Sequence, residues 1–499
     1  MTYTRKIFFG ISIVFIMNAF ANIVAYLTRI FLARQLTPTE YGLFYAVFTF
    51  VLFFLFFRDL GLGSALVKYI AEFKVNNQFE KIKAGIVSTF IFQILSSLIL
   101  SVILFLLADY LGAVYFKNEF AAIILKVLII YIFLSVLFRV PKAIFKGFQN
   151  FKVFSLFEFS KNSIVLISLI ILFTLGFSGV IVPTIAYIIV SPLLFIVLLP
   201  FALKTFPFFK HKIPNKKTFN DVTKKLFLFG IPVIFTGIGG KIIGYIDTLL
   251  LTHFANLEQV GIYNAVLPTA MMFLFIGVSV SSVIFPVTAE LWARKDNKKI
   301  YEGLRLMHKY SFFMIIPILF SLFVYANFFI GLFFGEAYLS GVTAFKILLI
   351  GVMFYVVAGI NNNIISGIGK PEKVTKIILF SAAINLGLNL LFIPKYGING
   401  AAWATLASYL IVLILSTLVV VKELRAKFPT TIWLKLMIIA PLFLLLLKTI
   451  NKSFIMLGDV LGMILTITLS VSIYFLVAYL FNIFNIEEIK KYIGLVRKK

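Results

Sequence analysis

Fourteen apolar runs of roughly 20 residues, the length that carries a helix across the hydrocarbon core of a bilayer, occupy most of the 499-residue sequence. They fall at Ile7–Leu27, Tyr41–Phe57, Ala84–Leu107, Ala121–Phe138, Val153–Leu175, Val182–Leu203 and Leu226–Leu250, then at Ile262–Phe285, Tyr310–Phe333, Ala344–Ile365, Val374–Ile393, Ala401–Val421, Ile432–Leu447 and Val460–Phe481. Charges, glycines and prolines separate them, and the short connections leave no room for a separate aqueous domain. Hydrophobic residues make up 62% and charged residues 13%, against about half and about a quarter in soluble domains. Open strands cannot cross lipid because their edge amides would go unpaired, and the runs lack the alternation of barrel strands. The sequence therefore predicts an all-α integral membrane protein with about fourteen transmembrane helices.

The charges give the orientation. With the N-terminus inside, 37 of the 46 Lys and Arg fall at cytoplasmic ends and loops, 8 fall at outer ones, and Lys241 lies within a span. This bias predicts a multi-pass protein of the cell (plasma or inner) membrane with both termini cytoplasmic. It also accounts for the net charge of +27, so nucleic acid is not an expected partner. No aromatic-interleaved basic patch or reader motif accompanies the charge. The first span has no small-residue cleavage site and reads as a retained helix. With no cysteine and only three scattered histidines (His211, His253 and His308), thiolate sites and a histidine-rich metal centre are not expected. A P-loop is missing as well, because Gly240-Lys241 is followed by Ile242 without the earlier glycine or the Ser/Thr.

Sliding the chain against itself by 219 to 221 residues uncovers a duplication. TPTEYGLFYAV from Thr37 overlies NLEQVGIYNAV from Asn256, pairing Gly42 with Gly261; Tyr26 meets Tyr245, Gly147 meets Gly367, Lys152-Val153 meets Lys373-Val374, and Thr184 meets Thr405. Spans one to six thus pair with seven to twelve. Six is even, so the copies share one orientation and are related by an axis along the membrane normal. The expected organisation is an N-terminal six-helix bundle (1–204), a cytoplasmic linker (205–225), a second six-helix bundle (226–425), and two further helices with a basic cytoplasmic tail (426–499). Facing bundles leave a cleft, where secondary transporters hold their substrate.

On the cleft-facing stripe of span one stand Asn18, Asn22, Ala25 and Arg29; the aligned positions in span seven are Gly237, Lys241, Gly244 and Thr248. A lysine in mid-membrane costs about 2.5 to 3.5 kcal/mol on insertion scales, so Lys241 needs a wet cavity or a structural ion-pair partner. Asp247, nearer the outer surface on the same helix, is a partial counter-charge, a protonation site or a satisfied carboxylate. Span five adds Glu158 and Lys161 at i and i+3, which also suits a local salt bridge. Arg139 before Pro141 reads as a cavity group or an interfacial anchor, and Arg58-Asp59 ahead of Gly61 as a turn. The candidates are mostly cationic: Arg29, Arg139, Lys161 and Lys241 against Glu158 and Asp247. Such a lining suits an anionic cargo, a phosphate or pyrophosphate, held by charge-assisted hydrogen bonds.

At TPTEYGLFY from Thr37, DLGLGSALVKYIAE from Asp59, GFQNFK from Gly147 and the later VGIYNAV and SGIGKPEKV stretches, the sequence resembles the oligosaccharide flippases of the Wzx type. These belong to the multidrug/oligosaccharidyl-lipid/polysaccharide exporter superfamily. The resemblance implies a V-shaped, MATE-like alternating-access transporter that moves a polyprenyl-phosphate or polyprenyl-pyrophosphate oligosaccharide from the cytoplasmic to the outer leaflet. It implies a cationic cavity, no cofactor, and coupling to a proton or cation gradient. Expected partners are the lipid-linked oligosaccharide, membrane lipids, and glycosyltransferases or a polymerase of the same pathway. A MATE-like drug or cation antiporter, with more acids than bases in its cleft, is the alternative. A membrane glycosyltransferase or polysaccharide polymerase would need a long loop or a carboxylate-rich site, and neither DxD nor such a loop occurs.

Overall fold

The structure, a computed structural model, describes residues 3–425, 430–454 and 459–480. The expected basic tail lies outside the described residues. Helices run in the order α1 (Tyr3–Gln35), α2 (Pro38–Arg58), α3 (Leu62–Val75), α4 (Phe79–Tyr110), α5 (Glu119–Leu134), α6 (Val136–Gly147), α7 (Phe151–Thr174), α8 (Ile181–Thr205) and α9 (Lys216–Phe254). Then follow α10 (Leu257–Met271), α11 (Leu274–Ala293), α12 (Asn297–Val324), α13 (Ala326–Phe334), α14 (Val342–Gly367), α15 (Pro371–Leu424), α16 (Thr430–Phe454) and α17 (Asp459–Leu480). Among the described residues there is no strand, and every apolar run coincides with a helix or a consecutive helix pair. The fold is all-α and membrane-spanning, as the sequence predicts.

Helix starts fall in the polar breaks, where a side chain can take up the free backbone amides. Thr37 accepts from the Glu40 amide at 3.3 Å while Glu40 accepts from the Thr37 amide at 2.9 Å, with Pro38 opening the helix. This reciprocal box starts α2. Asn118, Asn150 and Asn215 cap α5, α7 and α9 more simply, each side chain accepting from the backbone amide three residues on. In α9, Pro232 removes one intrahelical bond, and the helix bends by 48° between Phe235 and Gly237. α15 is 54 residues long, about 80 Å if straight and far beyond one crossing. It contains two apolar runs folded at Gly397, whose φ of 54° and ψ of −130° suit glycine alone.

The chain packs as two compact units, one of Met1–Thr269, Phe333–Ala344 and Ile378–Thr405, the other of Ala270–Leu332, Phe345–Ile377 and Leu406–Lys499. In the first, α3, α4, α6 and α9 share an apolar core that includes Leu66, Ile70, Ile82, Val140 and Leu226, and α1 lies along α7. α9, the first helix of the expected second copy, therefore packs within the unit that holds the first copy. In the second unit, Phe313 of α12 stacks on Tyr474 of α17 at 5.1 Å, and Phe443 of α16 meets the same ring edge-on. His308 is buried there, with a ring nitrogen 2.8 Å from Asn361 Oδ1, and the Asn361 amide donates to Ser416 and Thr417.

The paired glycines of the duplication meet face to face in the first unit. A Cβ added to Gly42 would lie 1.8 Å from the Leu257 carbonyl oxygen, and one added to Gly261 would lie 2.0 Å from that of Pro38. The two helix starts touch backbone to backbone, and neither leaves room for a methyl group. Gly42→Ala is expected to destabilise the fold by about 1–3 kcal/mol, the usual cost of overpacking. Gly303→Ala, whose Cβ meets nothing within 4 Å, should be neutral or stabilising. Thermal unfolding of both variants in lipid nanodiscs checks the contrast.

Candidate functional site

Three helix faces bring charge together inside the first unit. On α6, Arg139, Lys142 and Lys146 follow at spacings of three and four and share a face; on α7, Glu158 and Lys161 are one turn apart; on α9, Lys241 and Tyr245 are one turn apart. All seven line one cavity of about 540 Å³, to which α2, α3, α4 and α5 also contribute. Five cations (Arg139, Lys142, Lys146, Lys161 and Lys241) stand there against two carboxylates, Asp59 and Glu158.

The carboxylates are already engaged. Gln93 Nε2 donates to Asp59 Oδ1 at 2.7 Å. Lys142 donates to Glu158 Oε1, and Lys161 donates to Glu158 Oε2 at 3.3 Å. The Lys241 ammonium lies near two rings, Tyr245 at 5.3 Å and Phe56 at 5.9 Å from the ring centroids. No carboxylate pairs with it among the described residues. Uncompensated positive charge in a partly dry cavity binds anions more strongly than it would in water.

Four of the sequence candidates thus share the cavity: Arg139, Glu158, Lys161 and Lys241. The others lie elsewhere. Arg29 seats its guanidinium 4.5 Å from the Tyr45 ring centroid and donates to the Asn264 carbonyl at 3.1 Å. Thr248 is buried and accepts from Asn264 Nδ2 at 3.2 Å. On α1, Asn18 is half-buried and Asn22 exposed, and neither lines the cavity. Asp247 is 2% exposed and is held by neutral donors: Tyr263 at 2.6 Å, Thr405 at 2.5 Å and Asn389 at 2.7 Å. Asn389 also reaches Asn385 at 3.2 Å. Lys241 and Asp247 therefore occupy separate settings, the first in the cavity and the second in a buried oxygen-rich nest.

Sequence reasoning missed Lys142, Lys146 and Asp59. Pro141 had marked the end of a span, whereas α6 continues through it to Gly147, so the basic stripe that begins at Arg139 is one continuous face. Asp59 reads as part of a turn, and that turn opens onto the cavity. Its neighbour Arg58 is 3% exposed and donates to Ser97, Ser135 and the Ile132 carbonyl. Among the described residues its Nε and Nη2 find no hydrogen-bond partner. Buried orphan donors of this kind call for water or an anion. Among the described residues no group of three His, Asp or Glu could hold a metal ion.

A family model described as polysaccharide biosynthesis protein matches residues 7–292, and one described as MatE matches residues 232–391. The chain is 30% identical to an uncharacterized membrane protein of Methanocaldococcus jannaschii, over 100% of both chains. It is 25% identical to a putative O-antigen transporter of Shigella flexneri, over 74% of this chain and 87% of that one. Its fold is that of the lipid II flippase MurJ in an inward closed conformation, with a TM-score of 0.75 at 18% identity, covering 93% of this chain and 98% of the other. The first of these matches takes in more than half the sequence, together with every element that lines the cavity, and the chain belongs to the polysaccharide biosynthesis protein family.

Proposed function

We propose that this protein is a flippase that carries a lipid-linked oligosaccharide, on polyprenyl phosphate or pyrophosphate, from the cytoplasmic to the outer leaflet of the cell membrane. The observation that carries this reading is the cavity among membrane helices with five cations against two carboxylates and an unpaired Lys241. A charged, hydroxyl-rich headgroup cannot cross hydrocarbon alone. A positive vestibule offers it a counter-charge, while the polyprenyl tail stays in lipid. The names of the relatives, an O-antigen transporter and a lipid II flippase, support the same cargo class. The lining disfavours a drug or cation antiporter, which would present acids to its cargo.

Alternating access between two sequence-related halves is part of this reading, as is the cytoplasmic location of both termini. Asp247 is the group we assign to coupling with a proton or cation gradient, because a carboxylate buried among hydroxyl and amide groups gains or loses charge at high energetic stakes. Glycosyltransferases or a polymerase of the same pathway would supply or consume the cargo. The test is reconstitution of the full chain in proteoliposomes carrying a fluorescent oligosaccharide on a short polyprenyl pyrophosphate. Protein-dependent arrival of the label at the opposite leaflet is expected, and the same sugar on a neutral polyprenyl ether should stay behind. Equal movement of both lipids, or export of a cationic dye instead, would reject the reading.

A further inference from the structure

Glu158 holds the two lysines that the cargo would need. Each carboxylate oxygen takes one ammonium, Lys142 from α6 on Oε1 and Lys161 from its own helix on Oε2. The trio faces open volume, with side-chain exposures of 32% for Lys142, 28% for Glu158 and 26% for Lys161. It is therefore not a sealed ion pair of the core. Lys142 has a second seat as well, 4.8 Å from the Phe157 ring centroid and 5.8 Å from that of Phe154. Cation–π attraction keeps the ammonium at the cavity wall when the carboxylate swings away.

We propose, on the reading of the cavity as a phosphate site, that Glu158 is a tethered competitor that occupies Lys142 and Lys161 in the empty protein and yields them only to a multiply charged phosphate. Of the two carriers named above, this selects the pyrophosphate, with two charges, over the singly charged phosphodiester. A single carboxylate bridging two ammonium groups leaves one positive charge uncompensated. A phosphate dianion or a pyrophosphate compensates both and presents more acceptor oxygens. An incoming monoanion offers no more than Glu158 already does, and Glu158 competes from a tether, at a high effective concentration. The glutamate thus sets a charge threshold for entry. By returning to the lysines it also helps the headgroup leave, so binding need not become a trap.

The experiment measures binding to the full chain in nanodiscs of three probes with the same short isoprenoid: farnesyl pyrophosphate, farnesoic acid and farnesol. For the wild type, farnesyl pyrophosphate should bind much more tightly than farnesoic acid, and farnesol should not respond to Lys241→Ala. In Glu158→Gln both anions should bind more tightly, the monoanion by about tenfold and the pyrophosphate by less, so that the preference between them narrows. Glu158→Asp keeps the charge but is too short to bridge both lysines, and should fall between the two. In transport, Glu158→Gln should lower KM and maximal rate together, the mark of slowed release. An unchanged preference, or equal weakening of both anions at an unchanged unfolding temperature, would overturn the competitor role and leave the phosphate site standing. A wild type that does not distinguish farnesyl pyrophosphate from farnesol would overturn the phosphate site, and the competitor with it.

Discussion

Lys241→Ala is expected to cut delivery of the lipid-linked glycan by about one to two orders of magnitude while the protein stays in the membrane at parental abundance. Lys241, like Arg139 and Lys146, is a cavity cation with no carboxylate partner among the described residues, so its charge is free for the cargo. One charge-assisted hydrogen bond contributes about 1.5 to 3 kcal/mol, a loss of about 10- to 150-fold in affinity. The flanking rings of Tyr245 and Phe56 would remain and offer stacking without charge. Lys241→Arg keeps the charge and should retain part of the activity, because a guanidinium also binds phosphate. Initial rates in proteoliposomes and surface glycan in cells are the measurements. Export by Lys241→Ala at the parental rate would remove the residue from the site.

The second large effect is expected at Asp247. Asp247→Asn preserves shape and leaves an acceptor for the Tyr263 and Thr405 hydroxyls, yet it cannot change charge. Transport driven by a proton or cation gradient should fall to the rate seen without a gradient, while exchange of cargo down its own gradient persists. Farnesyl pyrophosphate binding should be nearly unchanged, since Asp247 does not line the cavity. A variant that responds to the gradient as the wild type does would exclude Asp247 from coupling.

How far the fold could be read from the sequence depended on how local its signals are. Runs of apolar residues declare themselves within twenty positions, and each became helix. The short α3 did not, because Lys68 and Lys74 make its stretch look like an ordinary charged loop, although Leu62, Leu66 and Ile70 put one buried face on it. Arg139, Glu158, Lys161 and Lys241 stood out as charges in apolar surroundings, and three separate helices bring them to one cavity. Lys142 and Lys146 were hidden by a proline that continues its helix instead of ending it. The partners of Asp247 were beyond reach for a different reason: Asn389 and Thr405 lie 142 and 158 residues away in sequence. The Gly42–Gly261 contact, by contrast, joins two positions that the repeat aligns, although alignment alone does not say that they touch.

The fold at Gly397 bears on how the protein is made and handled. Two greasy arms are joined through a tip of a few residues, Pro394 to Asn399, in which Lys395 and Tyr396 are exposed, so the pair enters the bilayer like a hairpin. Any larger side chain at Gly397 would meet both an unfavourable backbone angle and Gln259, whose Oε1 lies 2.3 Å from where a Cβ would be. Gly397 itself is therefore closed to substitution and insertion, and tags intended to report sidedness belong in the 205–215 stretch instead.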